Sequence, residues 1–305
     1  QVSLLYPIKL STHTHSFRIF RHVESVARDG IYCLMFPPKI NYSGISGKDP
    51  FTASIFNISA MSFGSLGAHA IEALSTGAKA GGFYHDTGEG SVSRYHRKGG
   101  ADLVWELGSG YFGCRASDGS FDPERFKDVA ADPQIKMIEI KLSQGAKPGH
   151  GGVLPGAKVT EAIAEARGIK VGETCVSPPA HSAFSTPIEM MEFVAKLREL
   201  SGGKPVGAKF AVGNRWEVLA LCKAMLKTGV LLDFMVVDGG EGGTGAAPAE
   251  FLDHVGAPLR QGLVLTRNAL VGTGLKDEVR LACSGKQISA FAIASSMALG
   301  ADWVN

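Results

Sequence analysis

VGAKFAVGNRWEVLALCKAMLKTGVLLDFMVVDGGEGGTG, residues 206–245, contains one complete strand–helix–strand unit and the loop that leaves it. Val206–Ala211 is an apolar run of strand length, and Trp216–Thr228 has the spacing of a helix. Phe234–Val237 is a second apolar run, and it ends in glycines. Strand, helix and strand joined by short connections form a parallel βα unit. Six of the eight residues at 238–245 are Gly or Thr, more than a plain turn needs, which points to contact with a ligand.

The same alternation extends in both directions. Upstream lie a strand at Ser54–Ala60, a helix at Leu66–Ala80 and a second strand at Gly82–Tyr84, then a long polar insertion to about residue 134. Met137–Leu142 is the third strand. A helix follows at Thr160–Arg167 with Thr160 as N-cap, and Thr174–Ser177 reads as the fourth strand, stopped by Pro178-Pro179. Thr186-Pro187 opens a helix that runs to about Leu200. Downstream come a strand at Val279–Cys283, a helix at Ser289–Leu299 and a strand at Asp302–Val304. Eight strands of this kind predict an α/β fold, a (β/α)8 TIM barrel over residues 54–305, with the last helix missing after Asn305. Residues 1–53 read as an irregular lead-in, with turns at Tyr6-Pro7, Phe36-Pro37-Pro38 and Asn41-Tyr42-Ser43-Gly44. A doubly wound open sheet is the alternative, disfavoured because no GxGxxG follows an early strand.

Composition narrows the function classes. Lys and Arg number 31 against 29 acids, a net charge of +2 that recruits neither nucleic acid nor a membrane surface. No apolar run is long enough for a membrane span. The five cysteines are far apart with no CxxC pair, which fits buried thiols in a reducing, cytoplasmic compartment. No metal site is expected, because neither His150 nor His181 has an acid or Cys at ligand spacing.

In a barrel, chemistry collects where strands end at their C-terminal side. Those ends read Ala60-Met61-Ser62, then Glu89 in its glycine loop, Gln144 and Lys147, Lys209, Asp238-Gly239-Gly240 with Gly242-Gly243-Thr244-Gly245, and Ser284-Gly285-Lys286. Glycine loops present backbone N–H groups to a phosphate. A lysine inside a barrel can face an electron-rich ring edge, and small residues such as Ala60 and Ser62 leave room for a planar group. For Lys209 a salt bridge at the barrel rim is the competing reading, and for Glu89 and Lys147 a solvated loop position.

Several longer motifs occur in one order: SAMSFGS (59–65), DTGEG (86–90), KLSQGAKPGHGGVLPGAKV (141–159), SPPAHS (177–182), DGGEGGTGAAP (238–248) and CSGK (283–286). With them the chain resembles the FMN-binding domain of the glutamate synthase family, and more closely its stand-alone relatives. The resemblance implies an FMN flavoprotein of glutamate biosynthesis and nitrogen metabolism that reduces 2-iminoglutarate, formed from 2-oxoglutarate and ammonia. It implies that Met61, Ser62, Gln144 and Lys209 neighbour the flavin, and that Glu89, Lys147 and Arg167 belong to the 2-oxoglutarate site. Val153 stands where the family has a substrate-binding glutamine. The resemblance also implies an electron donor and an ammonia-supplying partner. The family's [3Fe-4S] cysteines would follow the eighth strand and are not in this chain. Two other readings are an FMN or phosphate-binding barrel with an unrelated substrate, and a truncated, inactive barrel.

Overall fold

Parallel strands buried on both faces form the staves of the molecule, seen in a computed structural model that describes residues 39–42 and 51–305. β1 (Lys39–Tyr42) and β2 (Phe51–Ser54) form an antiparallel hairpin. Asn41 and Tyr42, expected in a turn, therefore lie in a strand, while Tyr6-Pro7, Phe36-Pro37-Pro38 and Cys33 fall outside the described residues. The barrel staves are β3 (Tyr84–Asp86), β4 (Asp102–Leu107) and β5 (Ile135–Lys141), then, after the two-residue strands β6 (Val153–Leu154) and β7 (Cys175–Val176), β8 (Val206–Phe210), β9 (Phe234–Asp238), β10 (Arg280–Ser284) and β11 (Trp303–Val304). Seven of them form one parallel sheet in the order β11-β10-β9-β8-β5-β4-β3. The segment at 55–58 closes it: Phe56 bridges Val304 and Ile58 bridges His85, both in parallel. Ile58 N–H donates to the Tyr84 carbonyl at 3.1 Å, and Asn57 N–H to that of Val304 at 3.0 Å. Eight staves thus enclose a (β/α)8 barrel.

Two strand expectations change. Thr174–Ser177 is no stave; Cys175 and Val176 pair antiparallel with Leu154 and Val153 in a small ribbon outside the barrel. The fourth stave by sequence is β5, because β4 lies within the stretch read as a polar insertion. That stretch also holds two helices, Arg94–Lys98 and Pro123–Ala130. Trp105 of β4 is fully buried and stacks on Phe126, with ring centroids 5.1 Å apart.

The helices expected elsewhere are present within a residue or two at each end: Ala68–Gly81, Glu161–Arg167, Pro187–Leu200, Arg215–Thr228 and Ala290–Ala298. Thr160 caps the second of these through Ile163 N–H. Thr186 caps the third in a capping box with Glu189, so Thr186→Ala is expected to cost about 1 kcal/mol in urea denaturation. A change below about 0.3 kcal/mol would show that the first turn finds its partners in solvent.

Side chains that alternate along the staves fill the barrel in layers. Tyr84, Val104, Met137, Val236, Ala282 and Trp303 make an apolar lower layer, closed from below by Ala53 of the hairpin. The buried Tyr84 hydroxyl donates to Asn305 Oδ1 at 2.6 Å and accepts from Trp303 Nε1 at 2.7 Å. Two residues further along the same strands, the interior becomes polar.

Candidate active site

Asp86, Glu106, Glu139, Lys209, Asp238 and Ser284 form this upper layer, one step beyond the apolar residues of β3, β4, β5, β8, β9 and β10. Lys209 Nζ donates to Glu106 Oε2 at 2.5 Å, and both side chains are almost fully buried. The burial of Lys209 alone would disfavour its charge, but Glu106, Asp238, Glu139 and Asp86 around it hold the ammonium firmly protonated. Asp238 accepts from Gly145 N–H at 2.7 Å and from Ser284 Oγ at 2.5 Å, which ties together the loops after β5, β9 and β10.

Above this layer a cavity of about 480 Å³ opens at the C-terminal mouth of the barrel. Of the residues singled out in the sequence, Met61, Gln144, Asp238, Gly239, Gly242, Gly243, Ser284, Gly285 and Lys286 line it. Phe56, Asn57 and Asn305, not anticipated, line it as well. Gly242 (φ +115°), Gly285 (φ +136°) and Lys286 (φ +49°) hold left-handed backbone at its rim.

The remaining expected residues lie elsewhere. Lys209 sits in the layer below the cavity, where it is the ion-paired lysine of the competing reading, though inside the barrel rather than at its rim. Gly240 packs on the backbone of Gly256 and donates to the Ala257 carbonyl, so its lack of a side chain serves loop packing. Thr244 and Gly245 are exposed, and Thr244 Oγ1 accepts from Ala246 N–H within a local turn. Ala60 and Ser62 flank Met61 without lining the cavity.

Glu89, Lys147 and Arg167 do come together, in a second cluster beside the cavity. Its centre is an ion pair that the sequence did not single out: Lys141 Nζ to Glu89 Oε2 at 3.0 Å. Lys141 also donates to Gln144 Oε1 at 3.3 Å, linking the cluster to the cavity wall. Burial raises the Glu89 carboxyl, but Lys141, Lys147 and Arg167 outweigh it and hold Glu89 below the ordinary range. Burial lowers Lys147, against the pull of Glu89. Arg167 donates to Ser62 Oγ and to the Phe63 carbonyl, each at 3.3 Å, and its guanidinium lies over the Phe112 ring. A Cβ on Gly152 would meet Glu89 Oε1 at 2.5 Å, so glycine there gives the carboxylate its space.

Two histidines position the surrounding backbone. The Lys141 carbonyl can only accept, so His181 donates to it from Nε2 at 2.8 Å, with Tyr111 Oη at Nδ1. By the same logic His96 donates from Nε2 to the Met61 carbonyl at 3.0 Å and accepts from Ser93 N–H at Nδ1. His85 is fully buried beside His96 and neither ring nitrogen has a hydrogen-bond partner. Burial lowers His85 to about 3 and His96 to about 4, against an ordinary 6.5. The unfolded chain therefore takes up these protons first, and the contribution of both groups is lost as pH falls from about 6.5 through about 4 and 3. Urea midpoints between pH 7 and pH 5 are expected to fall less in His85→Gln than in the unmodified chain. Equal slopes would show that His85 protonates freely in the folded state.

A sequence profile of the conserved region in glutamate synthase matches residues 47–305. The chain belongs to the glutamate synthase family. Among its relatives in this family, the glutamate synthase large subunit-like protein YerD of Bacillus subtilis is 41% identical over 292 residues, covering 95% of this chain and 55% of that protein. An archaeal-type glutamate synthase (NADPH) of Thermotoga neapolitana is 33% identical over 246 residues, covering 80% and 45%. The chain thus spans about half the length of the curated relatives it matches. A mutant flavocytochrome b2 with benzoylformate superposes at a TM-score of 0.51 with 14% identity, over 88% of this family member and 60% of the other chain, a likeness of fold. Among the described residues no helix is long and apolar enough to cross a membrane, and Cys114, Cys175, Cys222 and Cys283 are free and buried.

Proposed function

We propose that this chain carries the flavin-dependent oxidoreductase step of a glutamate-synthase-type enzyme. The step adds a hydride to carbon and a proton to nitrogen of 2-iminoglutarate, formed from 2-oxoglutarate and ammonia, or of a related imino acid; with an oxo acid the proton would go to the carbonyl oxygen. The observation that carries this reading is the adjacency of two sites: a mouth cavity rimmed by left-handed glycines and Lys286, and a Glu89–Lys141–Lys147–Arg167 cluster joined to it through Gln144.

The residues fit FMN. Gly285, Lys286 and the lining residues Gly239, Gly242 and Gly243 would receive a phosphate, and a lysine there suits a dianion. Met61 and Gln144, which line the same cavity, would border the ring. Bound FMN would supply the hydride. Lys147 and Arg167 would orient a dicarboxylate, while Glu89 limits the positive charge they present. The cluster is three-quarters cationic, which favours an anionic substrate. An electron donor and a source of ammonia are the partners this reading requires, in a reducing, cytoplasmic compartment.

Titration of the purified chain with FMN is expected to give a bound flavin spectrum, followed by turnover of 2-oxoglutarate with ammonia and an artificial reductant. A chain that takes up no FMN would overturn the reading. Flavin uptake without that turnover would favour a second reading, an unrelated substrate on the same barrel. Its support is Val153, which with its cross-strand partner Val176 leaves an exposed apolar pair on the ribbon, 47% and 54% accessible.

A further inference from the structure

Asp86, Glu106 and Glu139 enter the barrel from three adjacent strands, and their carboxylate oxygens all lie within 4.8 Å of one another. None of the three residues is more than 2% exposed. Lys209 faces them with a single positive charge, and that charge is hydrogen-bonded to Glu106. The other charged and titratable groups around the cluster are engaged elsewhere. Lys141, on the same strand as Glu139, pairs with Glu89; Asp238 holds Gly145 and Ser284; the Tyr84 hydroxyl holds Asn305 and Trp303. Asp86 keeps one backbone donor, Gly88 N–H at 3.0 Å, and Glu139 Oε1 is buried with no hydrogen-bond partner. Two carboxylates so close in a dry interior cannot both stay ionised without a second cation.

We propose that Asp86 and Glu139 share one proton at neutral pH, which places a proton store in the barrel beneath the mouth cavity. Burial pushes Asp86 up to about 7 and raises Glu139 well above the ordinary carboxylate range, in the same direction as the geometry. The store adjoins the cavity at two points. The Asp86 carbonyl accepts from Met61 N–H at 3.1 Å, and Asp238 belongs to both the layer and the cavity wall. A guest that gains negative charge on reduction would thus meet a layer already relieved of one charge. That use of the proton rests on the flavoprotein reading above; the sharing itself does not.

Infrared spectroscopy of the full chain without added flavin tests it. A carbonyl stretch of a protonated carboxylic acid is expected at pH 7, lost in Glu139→Gln and in Asp86→Asn, with circular dichroism confirming the fold. If neither variant folds, site-resolved carbon NMR of carboxyl-labelled Asp and Glu in the unmodified chain replaces them, with one carboxyl of the pair still protonated at pH 7. Absence of any protonated carboxyl, or a band that survives both substitutions, overturns the proposal. A band that behaves as expected in a chain that never takes up FMN upholds the shared proton and refutes the flavoprotein reading instead.

Discussion

Replacing Lys209 by methionine is expected to cost about 3–5 kcal/mol of folding stability, because it removes the partner of the buried Glu106 carboxyl in the barrel interior. The pair is desolvated on both sides, with side-chain accessibilities of 5% and 1%. The Coulombic attraction offsets that desolvation only while both partners are present. Removing the cation also leaves Asp86, Glu139 and Asp238 without the charge that offsets them. The double variant Lys209→Met with Glu106→Gln is expected to recover part of the loss, since the unpaired Glu106 carboxyl disappears with its partner while Asp86, Glu139 and Asp238 remain without the cation. Urea denaturation of the two single variants and the double variant measures the coupling. A loss under about 1 kcal/mol for Lys209→Met would mean that the pair behaves as a solvated one.

Gly145→Ala is expected to abolish flavin uptake and to lower stability by about 1–3 kcal/mol, as overpacking does. An added Cβ would overlap the Gly239 carbonyl oxygen, far inside van der Waals contact, with the Asp238 carbonyl oxygen also close. The loops after β5 and β9 therefore touch backbone to backbone, and the Gly145 N–H bond to Asp238 holds them together. Both loops line the cavity through Gln144, Ala146, Asp238 and Gly239, so separating them deforms its wall. Gly77→Ala is the control. Gly77 lies within the helix Ala68–Gly81 with nothing near its missing Cβ, and alanine there is expected to stabilise by about 0.4–1 kcal/mol. Flavin titration and thermal melts of both variants decide the matter; normal uptake by Gly145→Ala would show that the loops can separate without loss of the site.

The barrel was legible in the sequence wherever strand and helix signals were local. The run at 206–245 folds as its pattern predicts, and Thr160 and Thr186 cap helices as expected. Signals failed where tertiary packing overrode them. β4 carries an apolar run at Leu103–Trp105, but Asp102 and the inward Glu106 interrupt it and polar, glycine-rich stretches flank it, so its signal is brief. The helix Leu259–Gly272 was missed because Gly262 and Thr266 interrupt its pattern. Gly262 is there because a Cβ would meet Val212 and Val237 at 3.2 Å, a close approach of helix to sheet that no local rule encodes. Cys175 and Val176 have the composition of a stave, yet they serve the ribbon because their partner, Val153–Leu154, lies in the preceding glycine loop.

The candidate site was legible as a set of strand ends. It could not be divided from sequence into a cavity, a cationic cluster and a buried layer. Glu106 and Glu139 could have been found by counting every second residue along each stave in phase with Lys209. Lys141 was hidden at the edge of a motif whose glycines drew attention first.

The stave at 55–58 is joined to its neighbours by isolated bridges to Val304 and His85, whereas the other staves share ladders of two or more consecutive pairs. Closing that seam brings together segments from opposite ends of the described chain, so its entropy is recovered only after the rest of the sheet has assembled. The amides of Asn57, Ile58 and Val304 should then exchange with deuterium sooner than those of β4, β5 and β9. Because Phe56, Asn57, Ile58 and Asn305 also line the mouth cavity, a ligand held there would staple the seam and slow that exchange.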